Sequence, residues 1–394
     1  MDINKVREDT PCGNIYMNHA STSVPPLPVT EAAQGYYRMI MKYGATSRQA
    51  EDMTACTCVN AVKNMASFLH AEAGEIMFVP NGTVGIDMAA CGMQWKKGQN
   101  ILLDSMSFIS NAAPWIEAAR LHELEIRYIP AELPGFLDLE KMEQLIDEHT
   151  ALISVTHAAN SIGVLQDIEK IGRIARKYEI PYLVDAAGTI GAVPLDVKRI
   201  GCDFLTASGR KYLRGPSGTG ILYVKKEMLE KIKGYISSWN SGIWDWQKGE
   251  FTYHGDIRKL ETGEKNYPGI FGLSKAVEYI EEIGGAEVIE SRIRKLTQYL
   301  FEKLKTINGL RVIGPEDAAC RCGTTGFVME GKTCGEIAAC LNQNGVGMMG
   351  HHFFCPGVTE LFGIEGTARL SLHYWNTEEE INMVTGLLEN MQDA

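Results

Sequence analysis

Residues Asp203–Val224 read DFLTASGRKYLRGPSGTGILYV. The apolar run Phe204–Ala207 predicts a buried strand and Thr219–Val224 predicts another. Between them, Ser208-Gly209-Arg210-Lys211 supplies a hydroxyl, a guanidinium and an amine before Gly215-Pro216-Ser217-Gly218 turns the chain. An amine lodged between two apolar strands is partly desolvated, which lowers its pKa and makes Lys211 a candidate nucleophile toward a carbonyl. By itself, a lysine in a hairpin loop is also readable as an ordinary surface residue.

The stretch just upstream narrows the choice. Pro181-Tyr182-Leu183-Val184-Asp185 is an apolar run ending on an acid. In α/β sheets, ligands sit beyond the carboxyl ends of strands, where an aspartate either caps the next helix or holds a cationic ring nitrogen. A nucleophilic lysine and an acid at two neighbouring strand ends suit pyridoxal phosphate (PLP). That cofactor needs an amine on the protein as partner for its carbonyl, and a protonated pyridine nitrogen.

Val184–Val197, VDAAGTIGAVPLDV, followed by the Lys211 stretch resembles the PLP site of the class V aminotransferase family, fold type I. The resemblance runs from about Tyr16 to about Glu380. The family includes cysteine desulfurases, selenocysteine lyases, isopenicillin N epimerase-like proteins and the C–S lyase of ergothioneine synthesis. Gly209-Arg210-Lys211, in place of the desulfurases' Gly-His-Lys, is similar to the ergothioneine-type lyases.

The resemblance implies roles position by position. Lys211 binds PLP and acts as the base at Cα, and Asp185 keeps the ring nitrogen protonated. Asn81-Gly82-Thr83-Val84-Gly85, a small polar turn after the predicted strand Glu75–Val79, opens a helical stretch read from Ile86. A helix start presents free N–H groups, so Gly82 and Thr83, with Ser208 and Arg210, are the expected phosphate ligands. Phe108, aligned through Asn111 and Pro114-Trp115, takes the place of the desulfurases' stacking histidine; it can cover the ring but shuttles no proton. Asn160, in His157-Ala158-Ala159-Asn160, is expected at the PLP phenolic oxygen. Arg369, in Ala368–Leu372, is expected at the substrate carboxylate, for which its planar fork is suited. In Gly350–Pro356, GHHFFCP, the nucleophilic cysteine position of one desulfurase class aligns with Phe353. Cys355 falls two residues late and is kept as a possible loop nucleophile. His351, His352 and Cys355 lack a fourth ligand, so no metal is expected.

Composition sets outer bounds. The chain has 394 residues, 45% of them apolar and 22% charged, with a net charge of −11. Such a balance suits a small-molecule enzyme and argues against a nucleic-acid partner. No apolar run is long enough to span a membrane, so no membrane partner is expected. The N-terminus MDINKVREDT lacks the apolar core of a signal peptide. Ten cysteines without a secretory signal are expected as reduced thiols in the cytoplasm, and Cys56-x-Cys58 and Cys320-x-Cys322 are read as packing residues.

Further strands are expected at Asn100–Asp104, Glu125–Pro130, Ala151–Thr156 and Gly326–Glu330, and helices after Asp167, over Ser274–Ile283 and over Ala286–Ile307. Alternating strands and helices predict an α/β fold. With the resemblance, the expectation is fold type I: a mostly parallel seven-stranded sheet with helices on both faces, and a smaller α+β C-terminal domain. The large PLP-binding domain is placed at residues 16–266 and the small one at 267–394 with the arm 1–15. A homodimer with shared active sites is implied, and Ser237–Asn266, with Trp239, Trp244 and Trp246, is expected to line either a substrate pocket or the dimer seam. The expected reaction is C–S cleavage by β-elimination from a cysteine-type amino acid, giving pyruvate and ammonia. The alternatives are a cysteine desulfurase or selenocysteine lyase, or an aminotransferase or epimerase acting at Cα.

Overall fold

The computed structural model describes residues 1–393. Seven strands form the central sheet: β1 Ile76–Val79, β2 Asn100–Asp104, β3 Glu125–Ile129, β4 Thr150–Thr156, β5 Tyr182–Asp185, β6 Phe204–Ser208 and β7 Gly220–Val224. Their order across the sheet is β1-β7-β6-β5-β4-β2-β3. Every neighbouring pair is parallel except those made by β7, which runs antiparallel to both β1 and β6. The fold is therefore the α/β architecture with a mostly parallel seven-stranded sheet that the sequence predicts.

The strands read as continuous apolar runs because both faces are covered. In β5, Tyr182 and Val184 pack into one apolar cluster while Leu183 packs into the other. The same alternation places Leu205 and Ala207 on one face and Phe204 on the other. Sheet period alone thus divides the core in two.

A second sheet of four antiparallel strands lies in the C-terminal part: β8 Leu310–Ile313, β9 Thr324–Met329, β10 Met349–His351 and β11 Thr367–Ser371, in the order β8-β9-β11-β10. The N-terminal arm joins this unit. Ile15–Tyr16 pairs with Val346–Gly347, and Arg7 donates to Glu380 at 2.8 Å. Helix Tyr267–Glu282, which the sequence reading assigned to the C-terminal domain, packs instead on the two N-terminal helices Leu27–Tyr43 and Arg48–Phe68. The chain enters the C-terminal unit after it, through Gly284 and Gly285, both at positive φ. The two N-terminal helices were not foreseen. In the second of them Cys56 is exposed, so it is not the packing residue expected from its spacing, whereas Cys322 is buried.

Candidate active site

Every expected cofactor residue follows the carboxyl end of a strand running in the parallel direction. Gly82 and Thr83 come after β1, Phe108 after β2, Asn160 after β4, Asp185 closes β5, and Ser208 closes β6 with Arg210 and Lys211 behind it. These strand ends meet around one cavity of about 500 Å³, and all eight of these residues line it. That volume is in the range of small-molecule sites.

The cradle at β1 has a clear local cause. Helix Gly82–Gly92 begins earlier than the sequence reading placed it, because Asn81 caps it: its Oδ1 accepts the Val84 N–H at 3.0 Å. Gly82 and Thr83 open the helix, so their N–H groups have no carbonyl one turn back and face the cavity end of the helix axis. The helix lies hard against β6. Thr206 Oγ1 donates to Gly82 O at 3.0 Å, and a Cβ on Gly85 would meet that oxygen at 2.4 Å. Only glycine allows this approach.

Lys211 is half-buried in the loop that links β6 to antiparallel β7. The loop is closed by Gly209 N–H to Thr219 O at 2.9 Å and Gly215 N–H to Gly209 O at 2.7 Å. The ammonium stands 5.8 Å from the centroid of the Phe108 ring. Burial brings its pKa down from 10.5 to about 8. Asp185 opposes that fall, and Arg210 and Arg369 add to it. Asp185 is itself pushed up by burial, against the pull of the Ala187 N–H, which it accepts at 2.9 Å. An acid and an amine thus face one cavity across neighbouring strands, with an aromatic ring beside the amine. This donor set fits PLP: a ring-nitrogen partner, an amine for the carbonyl, an aromatic face, and a helix start for the phosphate.

Other residues are placed differently from the sequence reading. Arg210 lines the cavity, but its Nη1 group is engaged by the N-terminal arm, donating to Ser21 O and, at 3.4 Å, to Thr22 Oγ1. Arg369 is fully buried and does not reach the cavity wall. Its Nη1 donates to Asn160 O at 3.0 Å and Asn160 Oδ1 at 3.1 Å, and its Nη2 to Asn18 Oδ1 at 2.9 Å and to Ser21 Oγ. Its Nε–H has no partner, and the Phe353 ring covers the guanidinium at 4.0 Å. Cys355 has no exposed surface, and its thiol donates to Phe353 O at 3.3 Å. Burial pushes that thiol up to about 12. As placed here, Cys355 is no exposed nucleophile. His19 is buried against Tyr16, His373 and Trp375 and away from the cavity wall. Trp239, Trp244 and Trp246 are exposed and also absent from that wall.

A buried polar network behind Phe108 was missed. Asp104, at the end of β2, accepts Ser107 Oγ–H at 2.5 Å and the Thr156 N–H at 2.7 Å. Asn111 ties Ser107 and Trp115 together. Thr156 lines the cavity and is in register with Asp185. Burial raises Asp104 to about 7. The sequence signal was an acid at a strand end, the same signal that identified Asp185.

Comparison with known proteins agrees with this geometry. The class-V aminotransferase family matches residues 15–384. A probable cysteine desulfurase of Methanothermobacter thermautotrophicus is 32% identical, over 99% of this chain and 98% of its own. A cysteine desulfurase of Wigglesworthia glossinidia brevipalpis is 31% identical, over 95% and 92%. The apo structure of a cysteine desulfurase from Thermococcus onnurineus NA1 superposes with a TM-score of 0.93 at 29% identity, covering 99% of this chain and 98% of that one. The cavity, its lysine and acid, and a match over nearly the whole length lead to one conclusion: the chain belongs to the class-V aminotransferase family, PLP-dependent enzymes of fold type I.

Proposed function

We propose that this enzyme breaks the C–S bond of cysteine or a cysteine-type amino acid, as the desulfurases it resembles are named for doing. The observation that carries the reading is the 32% identity to a probable cysteine desulfurase across the whole chain, joined to a cavity in which Lys211, Asp185 and Phe108 stand together. Bound PLP supplies the electron sink for charge developing at the substrate Cα.

The residues of the chain do the rest. Gly82 and Thr83 N–H groups, Ser208 and the free N–H groups of Arg210 hold the phosphate. Asn160 holds the phenolic oxygen, and Asp185 holds the proton on the ring nitrogen. Phe108 covers the ring face without competing for protons. Lys211, with a pKa near 8, exchanges a proton at Cα close to neutral pH. Arg369 binds the substrate carboxylate.

The fate of the sulfur divides two readings. In a desulfurase, a thiolate takes the sulfur and the carbon product is alanine; Cys355 is the thiol for that role, and the names of the relatives favour it. In β-elimination, sulfur leaves from Cβ unaided and the product is pyruvate with ammonia. The buried Cys355 thiol, raised to about 12, favours that second reading. Quantifying alanine, pyruvate and sulfide from cysteine, for wild type and Cys355→Ser, separates them. A desulfurase gives alanine and loses roughly a thousandfold or more in the variant, about 4 kcal/mol of barrier. Elimination gives pyruvate from both proteins, and the absence of all three products overturns the C–S reading. A homodimer with shared sites accords with exposed Trp239, Trp244 and Trp246, a surface that self-association would cover; a monomer in sedimentation at micromolar concentration would refute it. Ten unpaired cysteines accord with a cytoplasmic location.

A further inference from the structure

A second hollow, a groove of about 1150 Å³, adjoins the strand ends that carry the cofactor cavity. It lies where helices Arg48–Phe68 and Tyr267–Glu282 end and helices Ile168–Lys177 and Ala286–Leu304 begin. Seven carboxylates line it against two guanidiniums, so its charge is strongly negative. Both guanidiniums are already paired, Arg199 with Glu169 at 2.9 Å and Arg294 with Glu290 at 2.6 Å. Among the described residues, only Glu281 and Glu287 of the seven accept no hydrogen bond and pair with no cation. They flank the junction between two helices: a Cβ on Gly285 would stand 3.5 Å from Glu287 Oε2 and 3.9 Å from Glu281 Oε2. Water alone could solvate these exposed acids.

The buried wall of the groove asks for more than water near a carboxylate. His157 lines it and is only 7% exposed, while its chain neighbours Thr156 and Ala158 line the cofactor cavity. Its Nδ1 lies 2.9 Å from Thr189 Oγ1, whose own hydrogen goes to Ala186 O at 3.2 Å. Thr189 therefore accepts, the ring hydrogen sits on Nδ1, and Nε2 keeps a lone pair. That lone pair has no partner among the described residues. Burial lowers the ring's pKa to about 4, so it is a neutral acceptor at pH 7. A buried acceptor without a donor is costly, and the groove is where a donor can reach it. Between the acids and the ring the floor is apolar, with Phe68, Ile168, Leu195 and Val277. No three His, Cys, Asp or Glu among the described residues converge as metal ligands, so a compact metal ion does not fit this spread of groups.

We propose that the groove is a binding site for a linear aliphatic polyamine, with one ammonium between Glu281 and Glu287, another donating to His157 Nε2, and methylenes on the apolar floor. Each ammonium is a donor and a cation, which matches an acceptor at one end and two unpaired acids at the other. The alkyl chain buries against apolar side chains as lysine stems do. The site is independent of the reaction assigned to the enzyme, yet it stands close to the cofactor: His157 N–H donates to Asp185 O at 2.9 Å.

The test is calorimetric titration of the PLP-loaded protein with spermidine in about 0.1 M salt, where long-range attraction is screened beyond roughly 10 Å. Saturable binding of one spermidine per chain is expected. Glu281→Gln with Glu287→Gln should weaken it about tenfold, since each exposed ion pair contributes modestly. His157→Phe, which keeps a ring without the acceptor, should weaken it several-fold. If that buried variant fails to fold, the exposed glutamate pair decides. Binding that stays unsaturated at millimolar spermidine overturns the site, as does wild-type affinity in the double variant. Displacement by magnesium as effective as by putrescine at matched ionic strength would reveal a diffuse ion atmosphere and overturn it too. An amidated dilysine peptide carries as many amines as spermidine; tighter binding of that peptide would assign the groove to a protein segment and overturn the polyamine.

Discussion

Replacing Asp185 by Asn tests the electrostatics of the site before any catalysis is measured. Lys211 sits near pKa 8, with burial as the main cause and the Asp185 charge as the opposing one. A fall from 10.5 to about 8 leaves roughly a tenth of the amine neutral at pH 7, against about one molecule in three thousand for an unperturbed lysine. The gain in free amine is therefore about 300-fold. Asn at position 185 removes the only acid at the cavity wall, so the Lys211 pKa should drop further, below 8. The assay is the pH dependence of Lys211 acylation in the cofactor-free protein, followed by peptide mass spectrometry. The rate should rise with pH to a midpoint near 8 in wild type and to a lower midpoint in Asp185→Asn. A wild-type midpoint near 10.5 would refute the desolvated lysine. A higher midpoint in the variant would refute the direction of the Asp185 effect.

Two further outcomes follow from the same strand ends. In the PLP-loaded protein, Asp185→Asn should keep the cofactor but lose turnover by roughly a hundredfold or more, since a neutral amide no longer favours a proton on the ring nitrogen; near-normal turnover would remove Asp185 from the mechanism. Gly85→Ala should cost about 2–4 kcal/mol in urea unfolding, because its Cβ would displace Thr206 Oγ1 from two carbonyl partners and overpack the helix against β6. Thr206→Ala in that background should recover part of the loss, and additive losses would show that the contact is not the cause.

Much of this was legible in the residues. The strand-end acid, the Lys211 loop and the alternation of strands with helices all rest on local signals: apolar runs of limited length, turn residues and caps. Asn81-Gly82-Thr83 reads as a phosphate cradle, yet apolar periodicity starts the helix only at Ile86, four residues late, although Asn81 before glycine is itself a cap signal. The N-terminal helices are harder to read because apolar Met41, Met53 and Val59 stand exposed on them. Phe353 escaped for a different reason. Its place over Arg369 depends on two aromatic residues holding a backbone form that residue preference argues against, and on contacts with Phe108 and Ile109 far away in sequence. A gap-free alignment marked the position, but only the folded loop shows what the side chain covers.

The placement of β1 beside antiparallel β7 has a consequence for the life of the protein as well as for its chemistry. The helix start after β1 and the lysine after β6 lie on opposite sides of β2 to β5 in the chain and meet only in the finished sheet. A cofactor gripped at both places therefore recognises the folded form alone and acts as a clasp across the sheet edge. Ligand held a hundredfold above its dissociation constant adds about 2.7 kcal/mol to stability, a sizeable part of what a domain possesses. The cofactor-free protein should therefore unfold at a lower urea concentration than the loaded one, by about that free energy.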